Sequence, residues 1–351
     1  MKSLVYLGAA GFALFAALPA TTNYKLNSYS FGAGGVANTK TTTYSLEGSV
    51  GEISGKTSST ANATVKPGFT ETQQANVPQL SALDNGSGVY YNKLHFVIDS
   101  QNNPTDATYL IAVSTDNFAS NIAYVQSDGT LTGSISTALY QTYAAWGGAS
   151  GSFVIGLNSS TTYSVKLKAT QGDKTESAFG PALSQATAAP SITFNLVTSA
   201  QSSPPFSVGL GALDAGTINS STDTINTTLS TNGTSGGDVY IKGKNGALLS
   251  SSTGSSITAA SNDLTGVASG FGAQNVTITQ TTGGPFSVSS PYNVSGNNVG
   301  ILSATARSLY TSTVPVTGGA GTLRLKAKAA STTVAANDYQ EILTFIAAGN
   351  F

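Results

Sequence analysis

The sequence predicts an all-β protein, and three observations carry that expectation. Gly contributes 39 of 351 residues and charged side chains only 9%. Helix-forming Glu and Lys are scarce, while Gly, Ser, Thr, Asn and Ala dominate, which favours short strands joined by turns. Short segments alternate apolar and polar residues with period two, as where Tyr163, Val165, Leu167 and Ala169 interleave with Ser164, Lys166, Lys168 and Thr170; this is the period of a half-buried strand. Gly, Asn and Asp punctuate these segments at Asp128-Gly129 and Lys244-Asn245-Gly246, which are turn signals. The length allows two or three domains, each large enough to bury a core. The expected architecture is tandem β-sandwich domains behind a small amino-terminal β-hairpin segment. Its boundaries are a signal over 1–22, a β repeat over 23–76, a first sandwich over 77–188 and a second over 189–351.

Composition narrows the function classes. With 15 basic and 16 acidic side chains, the chain has no field to attract nucleic acid or an anionic membrane surface. Cysteine is absent, so no disulfide and no thiolate metal site can form. Export is read from Lys2, the apolar run Leu4–Leu18 and the small-residue stretch Pro19-Ala20-Thr21-Thr22, a signal-peptide pattern with a cleavage site. The run is short for a bilayer span, which takes about twenty residues. The expected location is therefore secreted or cell-surface, with no membrane span once the signal is removed; an uncleaved amino-terminal anchor is the alternative.

The elements follow in order. Three loosely repeated units, Asn23-Tyr24-Lys25-Leu26, Thr43-Tyr44-Ser45-Leu46 through Val50, and Asn62 through Phe69, each pair a strand-like alternation with Gly or Ser. Such Tyr-x-Leu and Pro-Gly-Phe units resemble repeats near the start of bacterial surface proteins. They hold few large apolar side chains, so this segment needs another surface to pack on. The polar stretch Thr70–Asn76 separates it from the first sandwich.

In the first sandwich, Pro78–Leu80 is the first expected strand, and Lys93–Ile98 the second with Leu94, Phe96 and Ile98 inward. Tyr109–Val113 and Ile122–Gln126 follow, the latter closed by the Asp128-Gly129 turn. Ser177–Ala186 is the last. Leu157, Thr161 and Tyr163 stand at offsets six and two before the alternating strand. This spacing resembles the Leu-x-Pro-x-Thr-x-Tyr corner of fibronectin type III domains, with Ser159 in place of the proline. The resemblance implies an immunoglobulin-like sandwich in which the tyrosine tethers the loop before its strand, and a role in spacing or binding. Residues 133–151 exceed the usual length of that family. There Leu139–Gly148 reads as a short helix stopped by glycines.

In the second sandwich the expected strands are Ile192–Val197, Phe206–Leu210, Asp238–Lys242, Asn275–Thr279, Thr322–Lys328 and Tyr339–Ile346. The stretch Thr231–Tyr240 is similar to parts of bacterial surface sandwich domains.

Catalytic constellations are hard to assemble. A Ser-His-Asp triad has only His95 to use, which falls at an outward position between Leu94 and Phe96. No phosphate-cradling Gly-rich loop is present. Asp99, Asp106, Asp173 and Glu176 fall in loops that an immunoglobulin-like topology brings to one end, where oxygen ligands suit calcium; the plainer expectation is that Asp99 and Asp106 cap the Asn102-Asn103-Pro104 turn. The best candidate contact surface is Tyr140, Tyr143 and Trp146, which recur every third residue and on a helical turn project from one side. Aromatic platforms stack on sugars or anchor interfaces; the same residues would alternatively cover the sandwich core. Asn-x-Ser/Thr sequons at Asn62, Asn85, Asn158, Asn219, Asn226, Asn232, Asn275 and Asn293 are expected from composition in so Ser/Thr-rich a chain. The resulting expectation is an exported structural or adhesion protein without catalytic activity or cofactor, whose partners are surface glycans or other surface proteins. Two alternatives stand beside it. One is a carbohydrate-binding or enzyme-accessory module; the other is a fibre subunit that self-associates by strand addition.

Overall fold

The structure, a computed structural model, describes residues 34–40, 45–50, 58–59, 64–65, 75–171 and 175–351. Strand makes up 47% and helix 3%, and among the described residues the helical part is three short 3-10 turns, Thr137–Leu139, Gly148–Ser150 and Leu264–Gly266. The protein is all-β, as its alternating pattern predicts. The described residues fall into two compact units, one comprising those within 34–82, 96–152 and 164–183 and the other 83–95, 153–163 and 184–351.

The signal segment 1–22 and the first repeat unit at Tyr24 and Leu26 lie outside the described residues. Strands β1 (Gly34–Lys40) and β2 (Ser45–Val50) pair antiparallel, with an irregularity between Val36 and Thr39. Strands β3 (Ser58–Ser59) and β4 (Thr64–Val65) form a second minimal pair.

The middle segment carries β5 (Gln79–Asp84), β6 (Lys93–Asp99), β7 (Thr108–Ser114), β8 (Ile122–Val125), β9 (Leu131–Thr132), β10 (Gln141–Thr142), β11 (Ser152–Ile155), β12 (Thr162–Gln171), β13 (Thr175–Glu176) and β14 (Leu183–Ala186). One sheet has the order β13-β12-β7-β8-β9, with β10 also on β7 and β14 also on β12; a second has the order β11-β6-β5. In β6 the residues Leu94, Phe96 and Ile98 are buried and their neighbours are not, which is the expected register. Strand β7 is apolar from Tyr109 to Val113 and buried from Tyr109 onward, because it lies centrally with β12 and β8 on its two sides. The pairing of β12 with β7 runs from Ser164 opposite Ser114 to Thr170 opposite Thr108. It turns Val165, Leu167 and Ala169 inward and leaves Lys166 and Lys168 part-exposed.

One expectation here is corrected. Leu139–Gly148 is not a helix. Gln141 and Thr142 pair with Tyr109 and Thr108 of β7, and the chain then turns, with the Trp146 amide donating to Thr142 O at 3.0 Å. Gly147 and Gly148 adopt φ of 82° and 58°, and a Cβ on Gly147 would stand 1.9 Å from Gly151 O. The glycines serve a tight turn rather than a helix stop.

The carboxy-terminal segment contains β15 (Ile192–Thr198), β16 (Ile218–Ser220), β17 (Ile225–Thr231), β18 (Gly237–Gly243), β19 (Ala247–Ser250), β20 (Ser256–Thr258), β21 (Gly270–Thr279), β22 (Thr282–Gly283), β23 (Ser287–Val288), β24 (Gly300–Ile301), β25 (Arg307–Ser312), β26 (Val316–Lys328), β27 (Tyr339–Gln340) and β28 (Leu343–Gly349). The sheet β15-β17-β26-β21-β24 and the sheet β23-β25-β18-β28 send side chains into one core. Leu229, Phe271, Leu323 and Leu325 come from the first, and Val239, Ile241, Leu309 and Tyr310 from the second. Inward Gly319 and Gly321 of β26 make room for rings: a Cβ on Gly321 would fall 2.2 Å from Tyr310 Cζ, and one on Gly319 2.8 Å from Phe286. The two rings stack obliquely at 5.5 Å.

Two strand expectations fail here. Phe206–Leu210 is extended in pattern but pairs with no strand. Tyr339–Ile346 is broken at Glu341 and Ile342, because the Glu341 carboxylate accepts the amides of Lys244, Asn245 and Ala247 at 2.8–3.0 Å. That bracket ties the break to the Lys244-Asn245-Gly246 turn.

Candidate functional site

The predicted aromatic trio separates. Trp146 is 1% exposed, donates its indole Nε1–H to Tyr109 O at 3.0 Å and meets the Phe96 ring edge-on at 5.7 Å. It is a core residue, so the three-residue platform is corrected. The reason is geometric: without a helix, spacing by three does not align side chains, and the strand β10 sends this segment back across β7. Tyr140 and Tyr143 remain half-buried.

Tyr140 instead joins a face that the spacing rule missed. Its hydroxyl bonds to Glu176 Oε1, and Lys168 Nζ bonds to Glu176 Oε2 at 2.6 Å. Burial opposes ionisation of Glu176, yet the hydrogen bonds from Lys168 and Tyr140 outweigh it and hold its pKa below the ordinary carboxylate value. Lys168 likewise loses to burial but gains more from Glu176 and Tyr140, so its pKa is raised. Lys168 Nζ also lies 5.4 Å from the Phe179 ring centroid, while Lys166 Nζ lies 3.8 Å from Phe118 and 4.9 Å from Phe179. The result is a ladder, Phe118–Lys166–Phe179–Lys168–Tyr140, on the outward side of β12. Each cation–π contact contributes about 0.5–1 kcal/mol at an exposed site. The alternating lysines of β12 were the available signal; which aromatics stand over them depends on loops from elsewhere in the chain. Because the lysines already occupy these ring faces, a sugar stacking there would first have to displace them.

The remaining candidates are structural. Asp99 accepts Gln101 N at 3.0 Å, Gln101 Nε2 at 2.7 Å and Gln79 Nε2 at 3.1 Å, and these bonds, the Gln101 backbone first, lower its pKa. It caps its turn, Asp106 is exposed, and Asp173 lies outside the described residues. Among the described residues no group of three or more His, Cys, Asp or Glu gathers as a metal site. His95 packs its ring against Phe153 at 5.1 Å and places Nδ1 3.4 Å from Asp84.

The corner at Tyr163 is in place. Its ring is 5% exposed, and its hydroxyl accepts the Asn158 amide at 2.9 Å. Leu157 is buried beside it in sequence, and Thr187 Oγ1 donates to Asn158 O at 2.6 Å. The loop before β12 is therefore pinned at both its amide and its carbonyl.

A cavity of about 1110 Å³ lies in the second unit. Its walls include Leu196 of β15, Ile225 of β17, Phe271 of β21 and Phe345 of β28, and Phe206–Ala215 passes over it. The volume is slightly above the roughly 300–1,000 Å³ of ordinary ligand pockets, and Asp214, Asn337 and Glu341 stand among its apolar walls. No family model and no curated protein matches this sequence. Among the described residues no helix is long and apolar enough to cross a membrane.

Proposed function

We propose that the chain is exported and serves on a microbial cell surface as a non-catalytic structural or adhesion protein. Its middle segment, 77–188, is read as a fibronectin type III-like domain and 189–351 as a second sandwich. The observation that carries this reading is the Tyr163 tether, a hydroxyl bonded to a backbone amide five residues upstream at 2.9 Å, which is the arrangement of a tyrosine corner. The division of strands supports it: β5, β6 and β11 share one sheet, and β7, β8, β12 and β14 the other, a Greek-key distribution of the immunoglobulin kind. Charged residues at 9% suit a module that touches partners through shape and hydrogen bonds rather than through a field.

Amino-terminal sequencing of native protein tests export. A start near Thr21–Asn23 supports a cleaved signal, whereas a start at Met1 or Lys2 overturns it in favour of an anchor. Antibody labelling of intact cells and an attachment assay on a deletion strain test the role. Unlabelled cells, or attachment unchanged by the deletion, refute surface adhesion.

A further inference from the structure

Segment Phe206–Leu213 has the pattern of a strand without the pairing of one. Phe206, Val208 and Leu210 are half-buried over the cavity while Ser207 and Gly209 are exposed, a period of two. Among the described residues this segment joins no sheet. Side chains hold it instead: Gln201 Oε1 accepts the Ser207 amide at 2.7 Å, and Asn219 Nδ2 donates to Leu210 O and Ala212 O. Strands β15 and β28 end their respective sheets and wall the same cavity through Leu196, Leu343 and Phe345. An end strand presents unpaired amides and carbonyls, a template for one more strand. Ile346 on β28 is 44% exposed. The seam thus combines a cavity lined by both apolar and polar side chains, the edges of two end strands, and a lining segment that side-chain hydrogen bonds alone hold in place.

We propose that Phe206–Leu213 is an exchangeable strand: the segment of a second copy enters this seam, seats Phe206, Val208 and Leu210 in the cavity and pairs with the β28 edge. A second copy is the occupant because Phe206, Val208 and Leu210 already line this cavity within one chain, so exchange replaces one set of contacts with an identical one. In the exchanged state their backbone gains a ladder that it lacks within the chain. The connection 199–217 carries Gly211 and Gly216 at φ of 68° and 78°, which glycine adopts without strain, and Asp214 is its one charge. Tethering favours the intrachain arrangement at low concentration, so exchange grows with concentration.

The test is light scattering on the full chain across a concentration series, with Gly209→Pro as the variant. A Cβ at Gly209 meets nothing within 4 Å, and proline removes a ladder donor. The expected result is concentration-dependent association of the parent protein, weakened by about tenfold or more in the variant with the monomer's melting unchanged. In case the variant folds poorly, a labelled synthetic peptide of residues 204–214 serves as second probe; it is expected to bind the full chain and to dissolve its oligomers. A parent protein monomeric at every concentration overturns the proposal, as does a well-folded variant that associates normally, or a peptide that does not bind. Association abolished by deleting 23–69 but kept in Gly209→Pro would place the donor in the amino-terminal repeat and would equally overturn it.

Discussion

Replacing Tyr163 with Phe removes one oxygen from a site whose partners are known. The ring stays buried, so apolar burial is unchanged, and the loss is the hydrogen bond from the Asn158 amide at 2.9 Å. A net intramolecular bond of this kind is worth about 0.5–1.5 kcal/mol, more if the donor is left dry. Asn158 is exposed, so its amide can reach water, and the cost should fall near 1 kcal/mol. That corresponds to a fall in melting temperature of roughly 2–4 °C for a domain of 150–250 residues. The matched control is Asn158→Ala, which removes an exposed side chain but keeps the amide, and should stay within about 0.5 kcal/mol. Lys166→Ala would be a poorer control, since Lys166 Nζ rests 3.8 Å over Phe118. Urea titrations read by circular dichroism and by Trp146 fluorescence give both numbers. The single tryptophan is almost fully buried and shifts its emission when β7 and β12 separate. Equal stability for Tyr163→Phe and Asn158→Ala would refute the tether as the element fixing this corner.

Three further outcomes follow from the same geometry. Trp146→Ala should destabilise by about 3–5 kcal/mol through the cavity it leaves, measured by urea titration read by circular dichroism; a fully stable variant would return Trp146 to the surface. Asn232→Ala should cost about 2–3 kcal/mol, because its buried amide donates to Val89 O and Ala189 O at 3.2 and 2.8 Å and accepts Ser191 N at 2.8 Å, and glycan mapping should find Asn232 bare. The pH profile should fall at both ends. Asp116 and Asp338 are held well below the ordinary carboxylate range, first by side-chain hydrogen bonds from Ser120 and Ser250 respectively, so their contribution is complete above about pH 4–5 and is lost as pH drops through the folded values. Burial pushes Tyr292 up to about 12, so its contribution is intact below pH ~10 and disappears as pH rises toward the folded value. Melting curves from pH 2 to 12.5 check both arms, and a flat profile at either end contradicts that assignment.

The all-β class and much of the first sandwich were legible because alternation there reflects burial directly: Leu94, Phe96 and Ile98, or Val165, Leu167 and Ala169, are the inward sets of β6 and β12. Strand β17 escaped notice because its inward set mixes Ile225 and Leu229 with Thr227 and Thr231, so burial does not track apolarity. Strand β25 was similarly hidden, its inward Leu309 and Tyr310 being adjacent rather than alternate around a register shift opposite Val239 and Tyr240. Phe206–Leu210 has the alternation of a strand and lacks only a partner, which no local pattern encodes. The aromatic trio failed for a different reason: a spacing of three carries information only on a helix, and residues 139–148 are held by β7 in strand and turn.

The acidic residues show why the surface lacks a field. Asp116 accepts the amides of Ala119, Ser120 and Asn121 at 2.9–3.2 Å, Asp338 accepts Ser252 N at 2.8 Å, and Asp128 and Asp263 each accept the amide two residues ahead at 2.9 Å. Glu341 does the same for the turn after β18. In a chain with no cysteine, these carboxylates do part of the loop-closing work that disulfides perform in small secreted domains. Each of these carboxylates is matched to local backbone donors through charge-assisted hydrogen bonds. An encounter with another protein then gains little from long-range attraction and depends on what the sheets leave open at their ends. The β15 and β28 edges beside the cavity are such openings, and Phe206–Leu213, which joins no sheet among the described residues, lines the same cavity.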